Sequence, residues 1–414
     1  MATEPARTPA VTDPQPPNAP VPAPPAWHRL ASVDAYRGLV MLLMMAEVLH
    51  FGRVSSALPD SPVWQFLARQ QSHVEWRGCT LHDLIQPSFS FLVGVSVILS
   101  LDHRRKRGDK LGRTIAHAAW RAFVLSLLGI WLRSLGRPQP NFTFEDTLTQ
   151  IGLGFFPLFL IALCSTRVWW TCLAVILVGY WGAFALYPVP GPEFDYAKVG
   201  VGKEWAEHGQ GFAAHWNKNS NLAWKFDTWF LNLFPRPKPF EYNGGGYSTL
   251  SFIPTLATKI LGLIAGGWLL CSWRPGRKLG ALTAAGLVCL AAGFALDHFG
   301  VCPSVKRIWT PAWVLFSGGW CFLLLALFYA VNDQAGYTAW SYPLRVIGMN
   351  PIAAYLLSHL IEGFIRSNFA TFLGKDFFRV AGDAYEPLLS GLAILAIYWL
   401  ILFWMERRKI FLRV

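Results

Sequence analysis

Apolar runs close to the length that a helix needs to cross the hydrocarbon of a bilayer recur along most of the chain, and no other feature restricts its fold so strongly. Inside lipid every backbone N–H and C=O must be satisfied within the protein, so runs of this kind form helices. They occur at 35–51, 81–101, 114–135, 148–164, 168–186, 250–273, 279–299, 309–331, 344–365 and 388–404. Of the 414 residues, 53% are hydrophobic and only 14% are charged, whereas a soluble domain carries about 25% charged residues. The expectation is an all-α polytopic membrane protein, a bundle of about ten transmembrane helices with one long extracytoplasmic loop at 188–247.

Residues 1–27 are rich in Pro, Ala and Thr and poor in large aliphatic side chains. Such a segment buries too little apolar surface to offset the entropy of ordering, so a disordered Pro-rich cytoplasmic tail is expected, followed by one transmembrane domain over 28–414. No basic, apolar and small-residue tripartite signal precedes the first run, and the first transmembrane helix is expected to direct insertion.

The formal net charge of +12 raises nucleic acid as a partner, but the cations fall in short clusters beside apolar runs, as topology determinants do. No nucleic-acid partner is expected. The clusters are Arg104, Arg105, Lys106, Arg107, Lys110 and Arg113, then Arg274, Arg277 and Lys278, then Arg407, Arg408, Lys409 and Arg413. With ten spans all three lie on the side of the amino terminus. Both termini are therefore expected in the cytoplasm, with the His73 segment and the 188–247 loop outside.

The seven Cys form no CxxC pair and no zinc-type array, and no metal is expected. Cys79 and Cys302 both fall on the expected external side, where a bridge is chemically permitted. Gly244, Gly245 and Gly246 read as a flexible turn, since no helix-opening nucleotide fingerprint accompanies them.

Polar chemistry concentrates between the first two runs. His73 is the leading catalytic candidate, because imidazole titrates near neutrality and serves as base, acid or acyl acceptor. Glu75 and Asp83 are nearby carboxylates able to orient its ring; Thr80 to Asp83 also matches a helix capping box. Asp34 and Arg37 share a helix face, as an interfacial ion pair or as a cation for an anionic ligand. Arg121 lies about two turns inside its run, too deep to snorkel easily. Glu47, His50, Lys259, Asn350 and His359 also place polar groups on apolar helices, implying a polar cavity or interhelical hydrogen bonds. The 188–247 loop interleaves aromatic and basic residues, including Trp205, His215, Trp216, Lys218, Trp224 and Lys225. That pattern suits a glycan and equally suits a lid in the interfacial belt.

Several of these blocks together resemble a known family. Arg29, Leu30, Ser32, Asp34, Tyr36, Arg37 and Gly38; His73, Trp76, Gly78, Thr80, Asp83, Leu84, Ile85 and Pro87; Ala119, Trp120 and Arg121; Gly348, Met349 and Asn350; and Arg408, Lys409, Ile410 and Phe411 look like the transmembrane region of the heparan-α-glucosaminide N-acetyltransferase family. The resemblance implies transfer of an acetyl group from cytosolic acetyl-CoA, a co-substrate rather than a permanent cofactor, to an amine or hydroxyl of a sugar or glycan across the membrane. It implies His73 as base or acyl carrier, with Asp83 and Glu75. Arg37, Arg121, Asp34 and Asn350 are the candidates for acetyl-CoA, and Glu47, His50, Trp76, Trp216 and Tyr247 for the acceptor. The chain departs from the family at Glu47 to His50, where an asparagine is expected, and in having no large luminal domain before the first shared helix. Its loop, with Asn243 to Tyr247, looks like that of bacterial relatives, which implies the bacterial inner membrane. Membrane lipid and a second copy of the chain are candidate partners. A transporter of a small polar or anionic solute is the alternative, although no internal repeat supports it.

Overall fold

The computed structural model describes residues 30–412; the expected tail at 1–27, together with Arg29 and Arg413, lies outside them. The described residues form fifteen α-helices: α1 (Ala31–Met45), α2 (Phe51–Ala57), α3 (Pro62–Gln70), α4 (Ile85–Arg107), α5 (Leu111–Ser134), α6 (Thr147–Leu163), α7 (Thr166–Ala185), α8 (Leu222–Phe230), α9 (Phe252–Leu270), α10 (Pro275–His298), α11 (Pro311–Phe328), α12 (Tyr342–Met349), α13 (Pro351–Leu360), α14 (Glu362–Phe372) and α15 (Glu386–Arg407). They contain no β-strand; an isolated antiparallel bridge joins Arg77 to Val305.

Eight stretches among the described residues are helical, long and apolar enough to cross a membrane: Ala31–Ala57, His82–Arg107, Leu111–Ser134, Thr166–Ala185, Thr249–Leu270, Pro275–His298, Pro311–Gln334 and Asp383–Arg407. Thr147–Leu163 and Pro351–Leu360 are apolar but shorter. The expected run at 344–365 is thus three helices. Pro351 has no N–H to give and disfavours helical geometry in the residue before it, so the chain breaks at Asn350 (φ −127°, ψ 54°). The 188–247 stretch is likewise no plain loop, since α8 and several 3-10 turns lie within it.

Local chemistry sets many of the helix ends. The last turn of α4 carries Arg104, Arg105, Lys106 and Arg107, complementing the helix dipole, and Gly108 closes it at φ 77°. Asp146 caps α6 by accepting from Thr149 N at 3.0 Å, and Thr310 caps α11 by accepting from Trp313 N at 3.4 Å. Helix α1 starts after Leu30, which has no capping group. Its amides at Ala31 and Ser32 instead donate to the Asp333 carboxylate at 3.0 and 3.3 Å.

Several helix pairs pack backbone to backbone. A Cβ at Gly38 would meet Leu344 O, and one at Gly348 would meet Asp34 O, which seats α1 on α12; Gly94 and Gly262 do the same for α4 and α9. Small residues of this kind replace the missing hydrophobic drive between helices in lipid. Lys259, fully buried in α9, donates to Gln150 O and Ile151 O at 2.8 and 3.3 Å and so ties α9 to α6.

Candidate active site

Three segments meet beyond the amino-terminal end of α4. Residues 72–83 lead into it, 243–247 close the long excursion after α7, and 303–307 join α10 to α11. Arg307 stitches them, donating to Val74 O at 3.0 Å and Gly245 O at 2.6 Å. Gly78 N donates to Ser304 O at 3.4 Å. The buried Trp76 donates from Nε1 to Trp216 O at 3.2 Å, and its ring lies where a Cβ on Gly246 would stand. Gly246 has φ 77°, a conformation open to glycine at little cost. Asn243 Oδ1 accepts from Gly245 N and Tyr247 N at 2.8 and 3.3 Å, so the glycine turn is tied at both ends.

His73 and Asp83 meet inside this frame. Asp83 is completely buried and is surrounded by donors. Its Oδ1 stands 2.8 Å from His73 Nδ1 and 3.0 Å from Lys306 Nζ. Its Oδ2 accepts from Thr80 N at 3.1 Å and Val74 N at 3.3 Å. A carboxylate with so many donors stays ionised, and as an acceptor it favours the His73 tautomer with the imidazole hydrogen on Nδ1. In that tautomer the lone pair sits on Nε2.

Lys306 Nζ also lies 3.0 Å from His73 Nδ1 and is buried. Burial and the Lys306 charge hold the His73 imidazole below its ordinary pKa, against the pull of Asp83. Burial likewise lowers the Lys306 ammonium, and Asp83 opposes the shift. The His73 ring packs against His82 at 4.6 Å between centroids, and His82 Nε2 stands 3.3 Å from Glu47 Oε1.

His73 lines a cavity of about 410 Å³. Glu47, His82, Arg133, Glu145, Tyr247 and His359 are among its walls, with Met41, Met44 and Phe89 on the apolar side. Burial pushes the Glu145 carboxyl up. Among the described residues no group of three or more His, Cys, Asp or Glu converges as a metal site. Cys79 and Cys302 are separate thiols, both pushed up to about 12 by burial.

Two curated proteins match this chain: human heparan-alpha-glucosaminide N-acetyltransferase, 27% identical over 438 residues and 93% of the chain, and its mouse counterpart, 24% identical over 434 residues and 94% of the chain. The chain is a relative of heparan-alpha-glucosaminide N-acetyltransferase. It spans 60% and 61% of the length of those two proteins, and no family model matches it.

The remaining candidates fall in four places. Glu47 and Tyr247 line the His73 cavity. Glu75 is solvent-exposed and is not among the cavity walls. Trp76 and Trp216 belong to a second apolar core behind the site, and His50 pairs with Glu362 and Arg366 at 3.5 and 3.1 Å.

The residues proposed for acetyl-CoA lie deeper in the bundle. Arg37 donates to Asp34 Oδ1 at 3.0 Å, Gly348 O at 3.2 Å and Ser96 Oγ at 2.8 Å. Ser96 is midway along α4. Arg121, ten residues into α5, rests over the Phe155 ring at 4.8 Å and its buried Nε has no hydrogen-bond partner. Asn350 instead grips the carboxy-terminal segment, donating to Ile410 O at 3.0 Å and accepting from Leu412 N at 3.1 Å.

Sequence reasoning passed over Lys306, Arg133 and Glu145. Lys306 and Arg307 form a short basic pair on the side opposite the three clusters expected in the cytoplasm, where topology does not call for cations, and that was a usable signal. Glu145 beside Asp146 at a helix start reads as capping, and nothing local marks it as a cavity wall.

Proposed function

We propose that this protein is a transmembrane acyltransferase that moves an acetyl group from acetyl-CoA on the cytoplasmic face to an amine or hydroxyl of a sugar or glycan on the other. The observation that carries the proposal is His73, held through Nδ1 by the buried Asp83 at 2.8 Å and lining the cavity. The kinship with an N-acetyltransferase supports the reaction class.

In this reading all ten apolar helical regions cross or enter the membrane, and both termini and the Arg104–Arg107 cluster are cytoplasmic. Helix α4 has 23 residues and so is about 34 Å long. His73 lies near its start and the basic cluster at its end, a bilayer core apart. Residues 28–414 act as one domain, and the 188–247 stretch packs over the external mouth.

Coenzyme A is a polyanion and enters from the cytoplasm. Arg121, with an unspent Nε, and Arg37, oriented by Asp34, receive its phosphates. The pantetheine arm carries the thioester toward His73 Nε2. In direct transfer, Nε2 takes the proton as the acceptor nitrogen or oxygen attacks the thioester carbon. The C–S bond breaks and the proton passes from the imidazolium to the departing thiolate. In the two-step form, Nε2 attacks the thioester carbon and coenzyme A leaves as the thiolate; the acceptor nitrogen or oxygen then attacks the acetyl-imidazole, the C–N bond to Nε2 breaks, and the acceptor's proton passes to the thiolate. Glu47, Glu145 and Tyr247 face the acceptor.

Purified protein in liposomes, supplied with acetyl-CoA and a panel of amino sugars, neutral sugars and glycan fragments, tests this. Release of coenzyme A with acetylation of an acceptor, read by mass spectrometry, is expected. Absence of acetyl-CoA binding and of any acetylated product would overturn it.

A further inference from the structure

We propose that Lys306 is a positioning residue for His73: its buried ammonium, 3.0 Å from both Asp83 Oδ1 and His73 Nδ1, keeps the imidazole neutral, while the Asp83 carboxylate, 2.8 Å away, holds the hydrogen on Nδ1 and leaves Nε2 free. This rests on the reading of His73 as the acyl-transfer base and adds the device that prepares it.

The argument is one of charge and hydrogen count. A buried carboxylate facing an imidazole ordinarily stabilises the imidazolium, which has no lone pair to offer. Here Asp83 already receives a full positive charge from Lys306, a residue 223 positions away. Its remaining share of Oδ1 orients the ring through Nδ1–H. A second proton, on Nε2, would place an imidazolium, itself open to the cavity, against the buried Lys306 ammonium, which Coulomb repulsion opposes.

The other groups around the ring do not supply this function. His82 packs on the ring face at 4.6 Å, and its Nε2 is directed to Glu47. Arg307 directs its two terminal nitrogens to Gly245 O and Val74 O. Cys79 is a thiol pushed up to about 12 by burial and is uncharged near neutrality. When His73 takes the acceptor's proton, the same repulsion speeds its passage to the leaving thiolate, so Lys306 favours both halves of the transfer without touching substrate.

The test reads the protonation of His73 without reference to acetyl transfer. Diethyl pyrocarbonate attacks only unprotonated imidazole, and peptide mass spectrometry of the full-length protein in detergent gives its rate at His73 from pH 5 to 8. The wild-type midpoint is expected below the ordinary imidazole value of about 6.5. Lys306→Met should raise it by about one pH unit, a tenfold gain in proton affinity, and Lys306→Arg should restore it. Should Lys306→Met not fold because Asp83 is left unpaired, Asp83→Asn is compared with Asp83→Asn/Lys306→Met, in which no buried carboxylate remains; the double variant should have the higher midpoint. Equal midpoints within the pair that folds, or a wild-type midpoint at or above the ordinary value, would overturn the role of Lys306. Acetyl transfer that survives in His73→Ala would instead overturn the catalytic reading and leave the titration result standing.

Discussion

Arg37 Nη2 lies 2.8 Å from Ser96 Oγ, joining the first long helix to the midpoint of the fourth. That bond sets a guanidinium deep in the bundle rather than at its rim, about 15 Å along the helix from Gln86 at the cavity by helical rise. The groups proposed to bind the donor and to move the proton thus lie at different depths measured along α4, and their substitution should separate cleanly.

His73→Ala should lower turnover by about a hundred- to ten-thousandfold, the usual contribution of a positioned acid or base, and leave acetyl-CoA affinity nearly unchanged. Glu75→Gln, on an exposed side chain outside the cavity wall, should change turnover by no more than about twofold. Steady-state assay of coenzyme A release with calorimetric titration of each variant measures both.

Arg121→Ala should weaken acetyl-CoA binding by about ten- to a hundredfold, the worth of one charge-assisted hydrogen bond, without loss of folded protein. Its Nε has no internal partner to lose. Equal weakening in His73→Ala would remove the division of labour.

Gly348→Val should cut the yield of folded protein severely, because even a Cβ at that position meets the Asp34 carbonyl of α1 and no side chain can move aside. Overpacking a close interface costs about 1–3 kcal/mol or more. Gly276→Ala, with open space around its Cβ, is the matched control; thermal melting in detergent compares the two.

Single cysteines at positions 106 and 208, in a background with the native cysteines replaced, should differ in labelling by an impermeant thiol reagent applied to intact cells. Position 208 should react and position 106 should not. Labelling at 106 would reverse the orientation.

Much of the site was legible because its first pair is local. His73 and Asp83 are ten residues apart, and their polar block interrupts apolar sequence where charge is costly. The acceptor candidates Trp76 and Trp216 show the limit of that reading. An aromatic side chain in a polar loop has the same local pattern whether it faces a ligand or, as here, forms the packing behind the site.

The helical membrane fold was determined by sequence alone, because a backbone in lipid must satisfy itself and each run carries that instruction locally. The breaks at Asn350 and Gly108 were local too, written in the following proline and in glycine itself. What only the tertiary structure decided is the set of partners far apart in the chain: Lys306 on Asp83, Asp333 on the start of α1, and Arg37 between Ser96 and Gly348. The physical reason is that a buried polar atom takes whichever complementary group packing brings within about 3 Å. That proximity belongs to the packed bundle and to no single segment.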